Sequence, residues 1–250
     1  MKIIGLQHPE YISVEHEGKV SYGGGQTWFA KDKKLSRDYM INKWGCGAIA
    51  VGDLFLYLAK SDRDFQTPTT SVARTNYAVL PWEDYKNYIH YIATMYAQIM
   101  PGSGMNGVAV ASAVRRYCLK YHLSMTIAWK GFMDEQQMLR AMRKMLKEDL
   151  PVILSIGPNT PLVFRGKGIP FYTLNDKEEF VLSPYRCVHS HFVVVTGIVG
   201  LKHRQVMLRV SSWGKEYYID YKEYRKYIEE EGDTLTSSLL YLSKEDGTLF

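Results

Sequence analysis

One stretch constrains this chain more than any other: residues 46–59 read CGAIAVGDLFLYLA, apolar on nearly every side. A helix that is hydrophobic all round cannot lie on a surface and belongs at the centre of a fold. The chain has the material to surround it, with 250 residues and 46% hydrophobic content, enough for one large domain with a sizeable core. No apolar run reaches the roughly 18 residues that a membrane helix needs. The longest, residues 192–201, is broken by Thr196 and two glycines. At the start of the chain His8 and Glu10 interrupt the sequence before a signal-peptide core forms. The expectation is a soluble, cytoplasmic protein without membrane insertion.

Around that helix the pattern changes along the chain. The first forty residues read as irregular, with short strands near 11–14 and a glycine run at Gly23, Gly24 and Gly25. Pro81, Trp82, Glu83 and Asp84 open a helix to about Gln98, with proline at its first position and acids in its first turn. A second patterned helix spans 106–122, and a short strand 126–129. Asp134 to Gln137 resembles a capping box, ahead of apolar positions Met138, Leu139, Met142, Met145 and Leu146 at three-four spacing. From Pro151 onward strands dominate: PVILSIG, LVFRG (162–166), FYTL, FVLS, HFVVVTGIVG, RQVMLRVSS and EYYIDY, before a helix at 221–230 and a strand at 237–242. Helices first and an antiparallel sheet second make an α+β fold. No repeat or linker divides it, so residues 1–250 read as a single domain, with a helical lobe over about 1–150 and a β-rich lobe over about 151–250.

The net charge is +5, but its basic runs alternate with acids as solvated helix faces do, and no nucleic-acid motif accompanies them. Nucleic acid is therefore not an expected partner. Residues 102–107 match G-x-G-x-x-G, yet a proline precedes them and no acid follows before Asp134. A turn bordering a cleft is the better reading than a nucleotide site. The three cysteines, Cys46, Cys118 and Cys187, are too few and too scattered for a disulfide scaffold, so free thiols are expected.

Among these thiols Cys46 stands apart. It lies between Gly45 and Gly47 where an irregular segment becomes the apolar helix. A thiol at a helix start feels the positive end of the peptide dipoles, which favours the nucleophilic thiolate and makes Cys46 the expected reactive cysteine. The flanking glycines let a substrate backbone approach closely. His191 opens an apolar strand at the 130–150-residue spacing that separates a papain-type cysteine from its base.

In order, Gln26, Trp44-Gly45-Cys46-Gly47-Ala48, His191-Phe192-Val193-Val194-Val195-Thr196-Gly197 and Ser211-Ser212-Trp213-Gly214 resemble the papain-like cysteine peptidases. The likeness is to the bacterial family of bacteriocin leader-processing peptidases and their stand-alone relatives. It spans most of the chain, from Gln26 to Gly214. It implies a papain-like α+β fold, with the Cys on a central buried helix packed against an antiparallel sheet that carries the His. It also implies a peptide or amide substrate, hydrolysis or acyl transfer by a Cys46–His191 pair, and no metal or cofactor. By the same resemblance Gln26 lines the oxyanion hole, and Ser211 occupies the position of the Asn that orients the His. Two alternatives stay open: Asn42 as the oxyanion donor and Asp220 as the orienting residue. Trp28, Trp44 and Trp213 adjoin these positions and are expected to wall the cleft.

Two other functions compete. A Ser where the family carries Asn points to a papain-fold binding protein with impaired catalysis. Cys187, His189 and His191 alternate, and on one face of a strand they would form a metal site.

Overall fold

The computed structural model describes residues 2–73, 78–157, 168–201 and 205–244. Its elements run β1 (Lys2–Gly5), β2 (Val14–His16), β3 (Lys19–Val20), α1 (Arg37–Trp44), α2 (Cys46–Ser61), β4 (Leu80–Pro81), α3 (Trp82–Met95), α4 (Gly107–Lys120), β5 (Thr126–Lys130) and α5 (Glu135–Lys147). They continue with β6 (Val152–Ile156), β7 (Tyr172–Leu174), β8 (Phe180–Leu182), β9 (His191–Gly200), β10 (Val206–Ser212), β11 (Lys215–Asp220), α6 (Tyr221–Glu230) and β12 (Leu239–Ser243). The result is α+β, with a large antiparallel sheet. The strand expected over 162–166 lies outside the described residues.

Helix α2 is central, as its composition demands: every residue from Gly47 to Ala59 is buried. It packs against β9 on one side and against α3 and α4 on the other. Phe55 stacks on Tyr117 of α4 at 3.8 Å between ring centroids. Burying side chains such as Leu54, Phe55, Leu56 and Leu58, each at most 1% exposed, stabilises by about 1.5–3 kcal/mol apiece.

The sheet runs β5-β12-β6-β9-β10-β11-β7-β8 among the described residues, and β1 also pairs with β9. Along one edge of β9, β6 covers His191–Val195 and β1 covers Gly197–Gly200. Strand β9 is therefore buried along nearly its whole length. On its other edge the register with β10 shifts between Arg209 and Val210, leaving Thr196 as the extra residue of a bulge.

The caps explain where helices start. Asn106 accepts a hydrogen bond from the Ala109 N–H and opens α4. Asp134 and Gln137 form a reciprocal capping box on α5. Pro81 is the N-cap of α3 instead of its first helical residue. Its extended backbone belongs to β4, which pairs in parallel with β2. Among the described residues no helix is long and apolar enough to cross a membrane.

Candidate active site

Helix α1 ends at Trp44 and α2 begins at Cys46, with Gly45 capping both. A Cβ at Gly45 would lie 2.4 Å from the Ile41 carbonyl oxygen, and one at Gly47 would press on Met105 and Phe192. The protein's own atoms thus take up the room at these glycines, so it is internal packing and not the approach of a substrate backbone that their missing side chains serve. The backbone N–H groups of Cys46, Gly47 and Phe192 point at the Cys46 sulfur and favour thiolate. Burial outweighs them and pushes the thiol above its ordinary value. The lowering expected from a helix start alone is corrected by the closed surroundings of the sulfur.

His191 follows Ser190, whose φ of 48° swings the chain into β9. The imidazole is buried, and its Nε2 lies 2.7 Å from Ser212 Oγ. The indole of Trp213 stacks on it at 4.4 Å and 16°. Trp213 and Gly214 form the two-residue turn joining β10 to β11, both with positive φ, as a type I′ hairpin requires. Left-handed backbone at a tryptophan is costly, and here it lays the ring over His191. Burial lowers the imidazole to about 3.

The residue that engages His191 is Ser212, not Ser211. Ser212 shares one face of β10 with Leu208 and Val210, whereas Ser211 projects from the other face, where it donates to the Tyr22 carbonyl at 2.9 Å and lines the inner cavity beside Asp53 without engaging His191. Asp220 does not reach the site either. It caps α6 by accepting from the Lys222 and Glu223 N–H groups, and it accepts from Gln205.

Gln26 stands in a single 3-10 turn, Gln26–Trp28, and lines both cavities that border Cys46 and His191. Its Nε2 donates to the Asn42 carbonyl at 3.1 Å. The Asn42 amide in turn donates to the Thr27 and Phe29 carbonyls. Asn42 is thereby committed to holding the Gln26 turn on α1, which removes it as an oxyanion donor. The outer cavity is walled by Trp44, Met105 and the turn Gly102, Ser103 and Gly104; the inner one by Trp213 and Asp53. Trp28 is absent from both walls. Its ring sits behind the glycine loop, stacked on His16 at 4.6 Å and packed on Trp82.

Asp53 was not singled out in the sequence, where one acid inside an apolar helix was the available signal. It is 1% exposed, accepts from the Gly24 N–H at 2.8 Å and from the Tyr85 hydroxyl at 2.6 Å, and burial raises it to about 6.

Cys46 and His191 share the walls of both cavities, and among the described residues no direct hydrogen bond joins them. Thiol above its usual range and imidazole below it make a neutral pair at pH 7. The alternation of Cys187, His189 and His191 does not survive folding, because β9 begins only at His191 and Cys187 is exposed on the preceding loop. Among the described residues no group of three His, Cys, Asp or Glu side chains is arranged to hold a metal ion.

Thiol labelling follows from these positions. In folded protein Cys187 is expected to react with iodoacetamide at the rate of an ordinary exposed thiol. Cys118, pushed up to about 12 by burial, should label only after denaturant is added, as peptide mass spectrometry will report. Comparable labelling of Cys118 without denaturant would contradict its placement. No protein-family model matches the chain, and no curated protein matches it.

Proposed function

We propose that the chain is a papain-like cysteine peptidase or amide hydrolase, working in the cytoplasm, with Cys46 as nucleophile and His191 as general base. One observation carries this reading: a helix-start cysteine and a strand-start histidine line the same cavities, while Ser212 holds Nε2 of the ring. That leaves Nδ1 for the sulfur. Three free cysteines fit a reducing compartment.

Because both groups start neutral, the proton moves as the bond forms. The Cys46 sulfur attacks the acyl carbon while Nδ1 of His191 takes the thiol proton. The oxyanion faces the Gln26 amide and the Cys46 N–H, which as the first residue of α2 has no intrahelical acceptor. Collapse breaks the C–N bond, and the imidazolium proton goes to the leaving amine. Water then attacks the thioester with His191 again as base, releasing the acid and the free thiol. An amine in place of water would give acyl transfer.

p-Nitrophenyl acetate tests the reading without knowledge of the natural substrate. The expected result is a burst of p-nitrophenol with one acetyl group on Cys46, formed faster than on exposed Cys187. Gln26→Ala should slow it by about 10²–10³-fold, the effect of losing one oxyanion donor. A second reading, a binding protein on the same fold, is favoured by the weaker hydroxyl partner of His191 and the missing Cys–His hydrogen bond. Acetylation of Cys46 no faster than of Cys187 would select it.

A further inference from the structure

Asp53 lies two helical turns beyond Cys46 on the same face of α2. It lines the inner cavity together with Cys46, Gln26 and His191. Burying a carboxylate this completely is unfavourable unless something compensates, and no cation pairs with it among the described residues. Its two oxygens are instead spent on other elements: Oδ2 accepts from the Gly24 N–H, and Oδ1 accepts from Tyr85 on α3. Gly24 is gripped from its other end too, since the Gly214 N–H donates to its carbonyl at 2.9 Å. Only glycine fits there, because a Cβ at Gly24 would lie 1.7 Å from the Tyr85 hydroxyl oxygen. Two residues after this clasp comes Gln26.

We infer that Asp53 is a positioning residue that ties the loop at 23–25 to the cysteine-bearing helix and so fixes where the Gln26 amide sits beside the sulfur. The inference rests on the reading of Cys46 as an acyl-transfer nucleophile. An ionised carboxylate accepts two strong hydrogen bonds, whereas the protonated acid holds the same donors more weakly. The clasp therefore tightens as Asp53 loses its proton, near pH 6. The titratable groups facing it do not change charge in that range. Tyr85 and Tyr88 on α3 and Tyr11 on the N-terminal segment are all pushed well above 10. Cys46 on the same helix stays a thiol, and His191 from β9 stays neutral. Ser211 from β10 does not titrate.

The test compares two reactions of the same sulfur: acetylation by p-nitrophenyl acetate, which develops an oxyanion, and alkylation by iodoacetamide, which does not. Their rate ratio cancels the thiol's own ionisation and isolates the oxyanion site. In the wild type the ratio is expected to rise at least about fivefold through pH 6, a fraction of what one oxyanion donor supplies. Asp53→Asn should make the ratio flat with pH. Tyr85→Phe removes one donor from the carboxylate and should move the step to higher pH, a shift that a purely structural Asp53 would not produce. Gln26→Ala should hold the ratio low at every pH. A flat wild-type ratio that Gln26→Ala still lowers would overturn the role of Asp53 and leave the nucleophile reading intact. Cys46 acetylated no faster than Cys187 would overturn both.

Discussion

His191→Ala is expected to slow acetylation of Cys46 at pH 7 by roughly 10²–10⁴-fold, the range that a positioned general base contributes. The neutral pair sets the form of the pH profile. Burial holds His191 neutral down to about 3, so the base is competent across the whole range above that. An acid limb near the ordinary histidine value of about 6.5 is therefore not expected from this residue. Ser212→Ala removes the partner of Nε2 and should cost about tenfold or more, because a ring free to turn presents Nδ1 to the sulfur for less of the time. Ser211→Ala, which loses only the bond to the Tyr22 carbonyl, and Asp220→Asn, which weakens the cap of α6, should leave the rate within about twofold, since neither touches His191. Stopped-flow measurement of p-nitrophenol release decides this. A larger loss in Ser211→Ala than in Ser212→Ala would reverse the assignment of the orienting residue.

Ser211 and Ser212 are adjacent, and no local pattern distinguishes which of them meets His191. Strand β9 is legible to the residue because burial on both faces leaves a run from Phe192 to Leu201 that is apolar but for Thr196 and two glycines. The apolar helix is legible for the same reason, as are the α5 cap and the amphipathic helix α6. Which serine faces the imidazole depends instead on how β10 lies against β9, and that register passes through the bulge at Thr196. A bulge is a property of two strands together, and no periodicity within either one announces it. Helix α1 escaped notice because it buries only Ile41 and Asn42, too few for an amphipathic signal. Strand β1 escaped because four residues carry no period of their own and are fixed by pairing with β9. Cys46 and His191 stood out by local pattern, at a glycine-flanked helix start and at the head of an apolar strand, and both line common cavities with Gln26. Asp53 did not, since inside an apolar helix it could be weighed only once the glycine loop and Tyr85 were seen to meet it.

Stability against pH is expected to expose Asp53 and His191 as opposing groups. Burial pushes Asp53 up to about 6 in the folded state, from its ordinary 3.8. The folded state therefore holds this proton more tightly, and the group's contribution, full below about 4, is lost as pH rises to 6. His191 is lowered from 6.5 to about 3, so its contribution is present above 6.5 and lost as pH falls. Between pH 4 and 6 each slope is about 1.4 kcal/mol per pH unit at most, and the signs are opposite. In the wild type the two largely cancel. Asp53→Asn removes the falling slope and should leave a protein whose stability climbs relative to wild type, gaining about 2–3 kcal/mol from pH 4 to pH 6. His191→Gln removes the rising slope and should fall relative to wild type over the same interval by a similar amount. Urea unfolding at pH 4, 5, 6 and 7 measures the differences, in which all other titrating groups cancel because they are common to the three proteins. Curves for both variants running parallel to the wild type would mean that neither group is perturbed by burial as the structure requires. Divergence in opposite directions would mean that burial in one cavity penalises the charged form of both side chains, the carboxylate of Asp53 and the imidazolium of His191.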